Sequence, residues 1–155
     1  MKRRIFLKGS LATTTLMVAA SAGMLTPTRV LASAWPKAAF ESKTEAEALQ
    51  AFFGTSDVTQ SDQVSIKAPL QAENGAVVPI KVMTSLENVE GIAICAIKNP
   101  RPYTTSLRVS GGGGGLYSTR IKMGQTSPVN CYVKAGGKLY MASQEIKVTV
   151  GGCGC

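Results

Sequence analysis

The chain has 155 residues, with 17 lysines and arginines against 9 acidic residues and no histidine. One domain is the expectation at this length, since domains usually hold about 100–150 residues. Without histidine there is no His-based triad, no zincin motif and no His-ligated haem. A composition 45% apolar and 17% charged excludes both a disordered chain and an integral membrane protein.

The net charge of +8 is concentrated at the N-terminus, where residues 1–34 hold five cations (Lys2, Arg3, Arg4, Lys8, Arg29) and no acid. The remainder has 12 basic and 9 acidic groups, a net of +3. It shows no basic cluster with interleaved aromatics, so nucleic acid is not an expected partner. Lys2-Arg3-Arg4-Ile5-Phe6-Leu7-Lys8 resembles the twin-arginine export signature, with Lys2 where that signature usually has Ser or Thr. The moderately apolar stretch 11–25 is too short and too polar to span a bilayer, which takes about 20 apolar residues. Ala32-Ser33-Ala34 then supplies the small-x-small pattern of a signal peptidase site. The expectation is a signal peptide over 1–34, removed on export to the periplasm to leave 35–155 with no membrane anchor. Twin-arginine export carries folded proteins, and this chain has no cofactor motif, so a co-exported partner subunit is expected.

Residues 40–54 read as the one helix. Ser42 or Thr44 can cap it, each with a glutamate three residues on (Glu45, Glu47), so a capping box fits either register. Ala46, Leu49, Phe52 and Phe53 form its apolar stripe, and Gly54 suits the position after its end.

Beyond the helix the period becomes two. Val64-Ile66-Ala68, Val78-Ile80-Val82, Tyr103-Thr105-Leu107-Val109, Tyr117-Thr119-Ile121-Met123, Val129-Cys131-Val133, Leu139-Met141 and Ile146-Val148-Val150 all alternate. Turn residues separate them at 73–75, 99–102, 111–115, 127–128 and 136–137. The pattern predicts an all-β, immunoglobulin-like antiparallel sandwich with one N-terminal helix, over 35–150. The glycine run at 111–115 lacks the Lys-Ser/Thr of a phosphate loop and lies between strands, so it is a predicted hairpin loop. One strand, 91–97, is apolar on both faces (Ile92, Ala93, Ile94, Cys95, Ala96, Ile97). A sandwich strand normally wets one face. Its outer face therefore needs a cover, from a loop or helix of this chain or from another subunit.

Of the four cysteines, Cys95 and Cys131 lie on predicted strands 36 residues apart. They are either a disulfide between facing strands or two buried free thiols. Cys153 and Cys155 differ in kind, because the last strand runs directly into Gly151-Gly152-Cys153-Gly154-Cys155. Gly151, Gly152 and Gly154 have no side chains to pack, so 151–155 is expected to project as a flexible arm. Three residues at about 3.4 Å each carry the Cys153 backbone up to about 10 Å from the body. An enzyme nucleophile needs a fixed base and an oxyanion site. No residue near Cys153 in the sequence provides either, and no cation adjoins it to favour the thiolate. Its use is as a covalent handle that the active sites of other proteins load and unload.

A twin-arginine signal, this strand pattern and the ending Val148-Thr149-Val150-Gly151-Gly152-Cys153-Gly154 together resemble the SoxY family, sulfur-substrate carriers of the periplasmic Sox thiosulfate-oxidation system. The resemblance implies that Cys153 is joined oxidatively to thiosulfate by the c-type haem enzyme SoxAX. It further implies that the manganese hydrolase SoxB removes sulfate and that a molybdenum/haem sulfur dehydrogenase oxidises the remaining sulfane sulfur. A heterodimer with a SoxZ-like chain is implied as well, with no cofactor or metal on the carrier and no complete enzyme activity of its own. The doubly apolar strand 91–97 would then be the subunit interface.

The family ending is Gly-Gly-Cys-Gly-Gly, and here the last residue is Cys155. It could close a small strained ring with Cys153, attack a sulfur adduct there, or have no role. Two functions of other classes remain open: a Cys-x-Cys Cu(I) site shared between molecules, and a structural sandwich module.

Overall fold

In β4 (Val78–Thr84), Val78, Ile80 and Val82 are buried while Pro79, Lys81 and Met83 face solvent, the signature of a strand with one wet face. The computed structural model describes residues 35–110, 113 and 115–149. In it β4 is the centre of a three-stranded sheet, antiparallel to β2 (Val64–Lys67) and β7 (Leu116–Ile121). The predicted signal over 1–34 and the arm over 151–155 lie outside the described residues, as do Val150, Gly111, Gly112 and Gly114. No helix among the described residues is long and apolar enough to cross a membrane.

The larger sheet runs in the order β1 (Val58–Gln60), β9 (Lys138–Val148), β8 (Ser127–Ala135), β5 (Val89–Ala96), β6 (Tyr103–Arg108). A further short strand, β3 (Gln71–Ala72), pairs with the far end of β9. Gly136 and Gly137, with φ of 55° and 76°, turn β8 into β9 across the pair Ala135↔Lys138. Two successive positive φ values are what a two-residue hairpin of this hand requires. Between the sheets lies one core, with Ile80 and Val82 facing Ile92, Ile94, Cys131, Val133 and Ile146.

A second core lies on the outer face of the larger sheet. Ala93, Cys95, Tyr132 and Leu139 are covered there by Ala39 of α1 (Lys37–Glu41) and by Ala48, Leu49, Phe52 and Phe53 of α2 (Glu45–Phe53). The chain's own helices thus cover the doubly apolar strand, and the subunit-interface reading of 91–97 is corrected. Ile94 points the other way, into the core between the sheets, and is fully buried.

Three further expectations are revised. The single helix is two, broken at Ser42, which is extended (φ −60°, ψ 140°) and whose hydroxyl donates to the Ala38 carbonyl (2.7 Å). Thr44 is the cap of α2 and forms the capping box with Glu47. Glu45 is occupied elsewhere, accepting from the Tyr132 hydroxyl and from the Asn130 amide. The strands expected at 139–141 and 146–150 are one continuous β9, because inward-facing Gln144 is satisfied by the Ala68 carbonyl (3.1 Å). Finally, β1 and β3 escape the periodicity, and both pair with β9 in parallel, so the sandwich is antiparallel except along that strand.

Candidate functional site at the root of the C-terminal arm

The strand that leads into residues 151–155 is held to its last described residue. The Lys147 amide donates to the Leu70 carbonyl (2.9 Å), and the Thr149 amide and hydroxyl both donate to the Ala72 carbonyl (3.1 and 3.3 Å). From the other side the Thr126 hydroxyl oxygen accepts from the Val148 amide (3.0 Å). Gly75 makes this junction close: a β-carbon there would run into the Met123 carbonyl and lie 2.8 Å from Val148 Cγ1. Gly75 in turn accepts at its own carbonyl from the Met123 amide (2.7 Å). Each clamp is a backbone group paired by backbone or hydroxyl, so β9 keeps its direction until two residues before the glycines begin.

Thr126 belongs to the loop 122–126, which is stitched to the loop 97–102. The Asn99 side chain donates to the Lys122 carbonyl (2.8 Å) and accepts from the Gly124 amide (3.0 Å). The Gln125 side chain donates to the Lys98 carbonyl (2.9 Å), and the Lys98 amide donates to the buried Ser127 hydroxyl (2.9 Å). The Ile97 amide reaches the Pro128 carbonyl (3.1 Å). Between the loops lies an open recess of about 550 Å³, lined by Asn99, Pro100, Arg101, Tyr103, Lys122 and Gly124 among others. Its lining holds two cations and no carboxylate.

Cys95 and Cys131 are free thiols, which corrects the disulfide alternative. The reason is register. Cys131 stands opposite Ile94, so it shares the inner face with that residue, whereas Cys95 stands opposite Asn130 on the helix side. Alternation puts them on opposite faces of one sheet. Burial pushes the Cys131 thiol up to about 12. Burial raises Cys95 as well, followed by the negative field of Glu45 and then by Cys131. The thiolate is the reactive species, so neither group is a nucleophile at neutral pH. That leaves Cys153 and Cys155 as the remaining thiols of the chain; they, with Gly151, Gly152 and Gly154, lie outside the described residues. Among the described residues no three His, Cys, Asp or Glu side chains gather as a metal site.

The sequence reading missed Gly75, Asn99 and Thr126. Each sits in a segment read as a turn or left unassigned, where the residue type carries a signal and its distant partner does not.

Compared with known proteins, residues 49–153 match the family model for sulfur oxidation protein SoxY. No curated protein sequence matches significantly. Among solved structures, the sulfur carrier protein SoxY from Chlorobium limicola f thiosulfatophilum is similar at 39% identity, with a TM-score of 0.60, covering 67% of this chain and 94% of that one. Superoxide reductase (neelaredoxin) from Ignicoccus hospitalis shares the fold at 15% identity and a TM-score of 0.50, over 56% of this chain and 80% of that one. The family match ends on Cys153 and leaves Cys155 outside it.

Proposed function

The chain belongs to the SoxY family of sulfur oxidation proteins, and from that membership we propose that it carries sulfur intermediates covalently on Cys153. The observation that supports this reading most is the family match, which runs through the glycines to Cys153. The two other thiols outside the tail are buried and held protonated. Loading joins the Cys153 sulfur to the terminal sulfur of thiosulfate. The thiol proton goes to solvent and two electrons go to the haem acceptor of a SoxAX-type enzyme, giving Cys–S–S–SO₃⁻. A SoxB-type hydrolase then adds water across the terminal S–S bond, releasing sulfate and protons and leaving a persulfide for a sulfur dehydrogenase. The protein's own contribution is positional. It sets Cys153 beyond two glycines on a strand whose last described residues are hydrogen-bonded from both sides.

The same reading places the mature protein in the periplasm after twin-arginine export, paired with a SoxZ-like subunit. With strand 91–97 under α1 and α2, that subunit must dock on another face.

The test is intact-mass spectrometry of the full chain after incubation with thiosulfate and the loading enzyme. The wild type is expected to gain S₂O₃, and Cys153→Ser to gain nothing while melting at the same temperature. Loading retained in Cys153→Ser and lost in Cys155→Ser would move the handle to Cys155. Bound copper, or only a loss of two hydrogens, would replace the carrier reading with a metal site or a staple.

A further inference from the structure

The recess between the loops 97–102 and 122–126 has no part in the chemistry above. These loops carry three cations, Lys98, Arg101 and Lys122, and no acid. The ion pairs found among the described residues, Lys37–Glu41 and Lys134–Glu90, involve none of them. Like charges gathered without a counter-charge repel one another, and a fold gains nothing by placing them together. The scaffold is nevertheless fixed: Asn99 is bonded at both its donor and its acceptor, and the two backbone amides before it, of Lys98 and Ile97, are tied to buried Ser127 and to Pro128. The loop that supplies Lys122 and Gly124 also supplies Thr126, the clamp on Val148. The recess and the root of the arm therefore share one rigid wall.

Size decides what could fill it. About 550 Å³ is within the range of about 300–1,000 Å³ that pockets offer to drug-sized ligands. A single tetrahedral oxyanion, equal to a few waters at about 30 Å³ each, would leave most of it empty. The lining combines exposed Pro100 and a floor of buried Tyr103 with the two cations. That combination suits a protruding loop with a carboxylate beside an apolar residue.

We propose that this recess receives an acidic loop of the enzyme that grips the arm, aligning that enzyme's channel with the root of β9. The inference rests on the carrier reading and adds where the processing enzyme docks. Charges at the rim of an interface act mainly on encounter rate and salt dependence, so the contribution belongs in KM and not in kcat.

The test uses the full chain loaded on Cys153 as the substrate of a SoxB-type hydrolase, with sulfate release measured at several ionic strengths. Arg101→Glu/Lys122→Glu is expected to raise KM about tenfold at low salt with kcat unchanged. The wild type's kcat/KM falls as salt rises and the reversal variant's rises, because screening weakens attraction and repulsion alike within a Debye length of about 8 Å at physiological salt. Lys67→Glu/Lys81→Glu makes the same charge change on the outer face of the smaller sheet and should leave KM unchanged. Arg101→Gln/Lys122→Gln should give an intermediate KM, which guards against a folding effect of the reversals. An unchanged KM in the reversal variant overturns the proposal while the adduct on Cys153 upholds the carrier reading. So does a fall in kcat alone, or an adduct that a soluble phosphine strips faster from the variant, which would assign the recess to the arm itself. A wild-type chain that takes no adduct overturns both.

Discussion

The two ends of the sandwich use the same residue types for opposite purposes. At the β8–β9 hairpin end, Arg108 lies over the Phe52 ring (4.7 Å) and donates to the Phe52 carbonyl (3.3 Å). Beside it Lys134 donates to the Phe53 carbonyl (3.1 Å) and pairs with Glu90 (3.6 Å). These two cations satisfy the last carbonyls of α2, where the helix dipole is negative, and they seat the helix on its sheet. At the arm end, Arg101 and Lys122 line a recess without a carboxylate. A charge employed in folding is found with its partner inside the molecule. A charge without one is available to another molecule.

The largest effect expected on this contrast comes from Gly75→Ala. The added β-carbon meets a backbone carbonyl, which cannot swing aside, so the loops at 73–77 and 122–126 must part. Overpacking of this kind costs about 3 kcal/mol, measured as a fall in the chemical-denaturation midpoint. The damage should concentrate at the arm end, with the protection of α2 amides from hydrogen exchange lowered only by the global loss. A uniform loss greater than that at α2 would show that the two ends are not separable.

The contrast is sharpened by exchanging which pair of cations is removed. Arg108→Ala/Lys134→Ala loses two helix-end hydrogen bonds, an ion pair and a ring contact, and should destabilise by about 2 kcal/mol. Arg101→Ala/Lys122→Ala should stay within about 0.5 kcal/mol of wild type in unfolding while weakening the hydrolase's KM. Equal losses of stability for the two pairs would remove the distinction between folding charges and docking charges.

How far the sequence could anticipate this follows from the range of each signal. Val78, Ile80 and Val82 alternate with Pro79, Lys81 and Met83, a local pattern, and β4 was readable to within a residue or two. Strand 91–97 announced that it was covered twice, yet nothing local could say by what, because Phe52 and Phe53 lie some 40 residues earlier. Ser42 and Thr44 offered equal caps; the choice fell to Thr44 where Glu45 is committed to Tyr132 and Asn130 across the fold. Val58-Thr59-Gln60 and Gln71-Ala72 are too short for any period to show. The glycine-rich tail was legible as a motif on its own, whereas the recess exists only because Asn99 reaches Lys122 and Gly124 across 23 to 25 residues of sequence.

The smallest effect tests the root itself. Thr126→Val keeps the volume and removes the hydroxyl that accepts from the Val148 amide. An unsatisfied donor in a part-buried setting costs about 1 kcal/mol, too little to unfold the domain. The local consequence should exceed the global one. Exchange at Val148 and Thr149 should quicken by more than the fall in global stability predicts, while the pairing of β9 with β8 from Lys138 to Ala142 keeps its protection. If the end of β9 is a bearing for the arm, its loosening should raise the hydrolase's KM, as a less defined exit direction costs the partner alignment. A KM that stays put as the exchange quickens would mean that presenting Cys153 needs no fixed strand end, and that the clamps at Ala72 and Thr126 serve the fold alone.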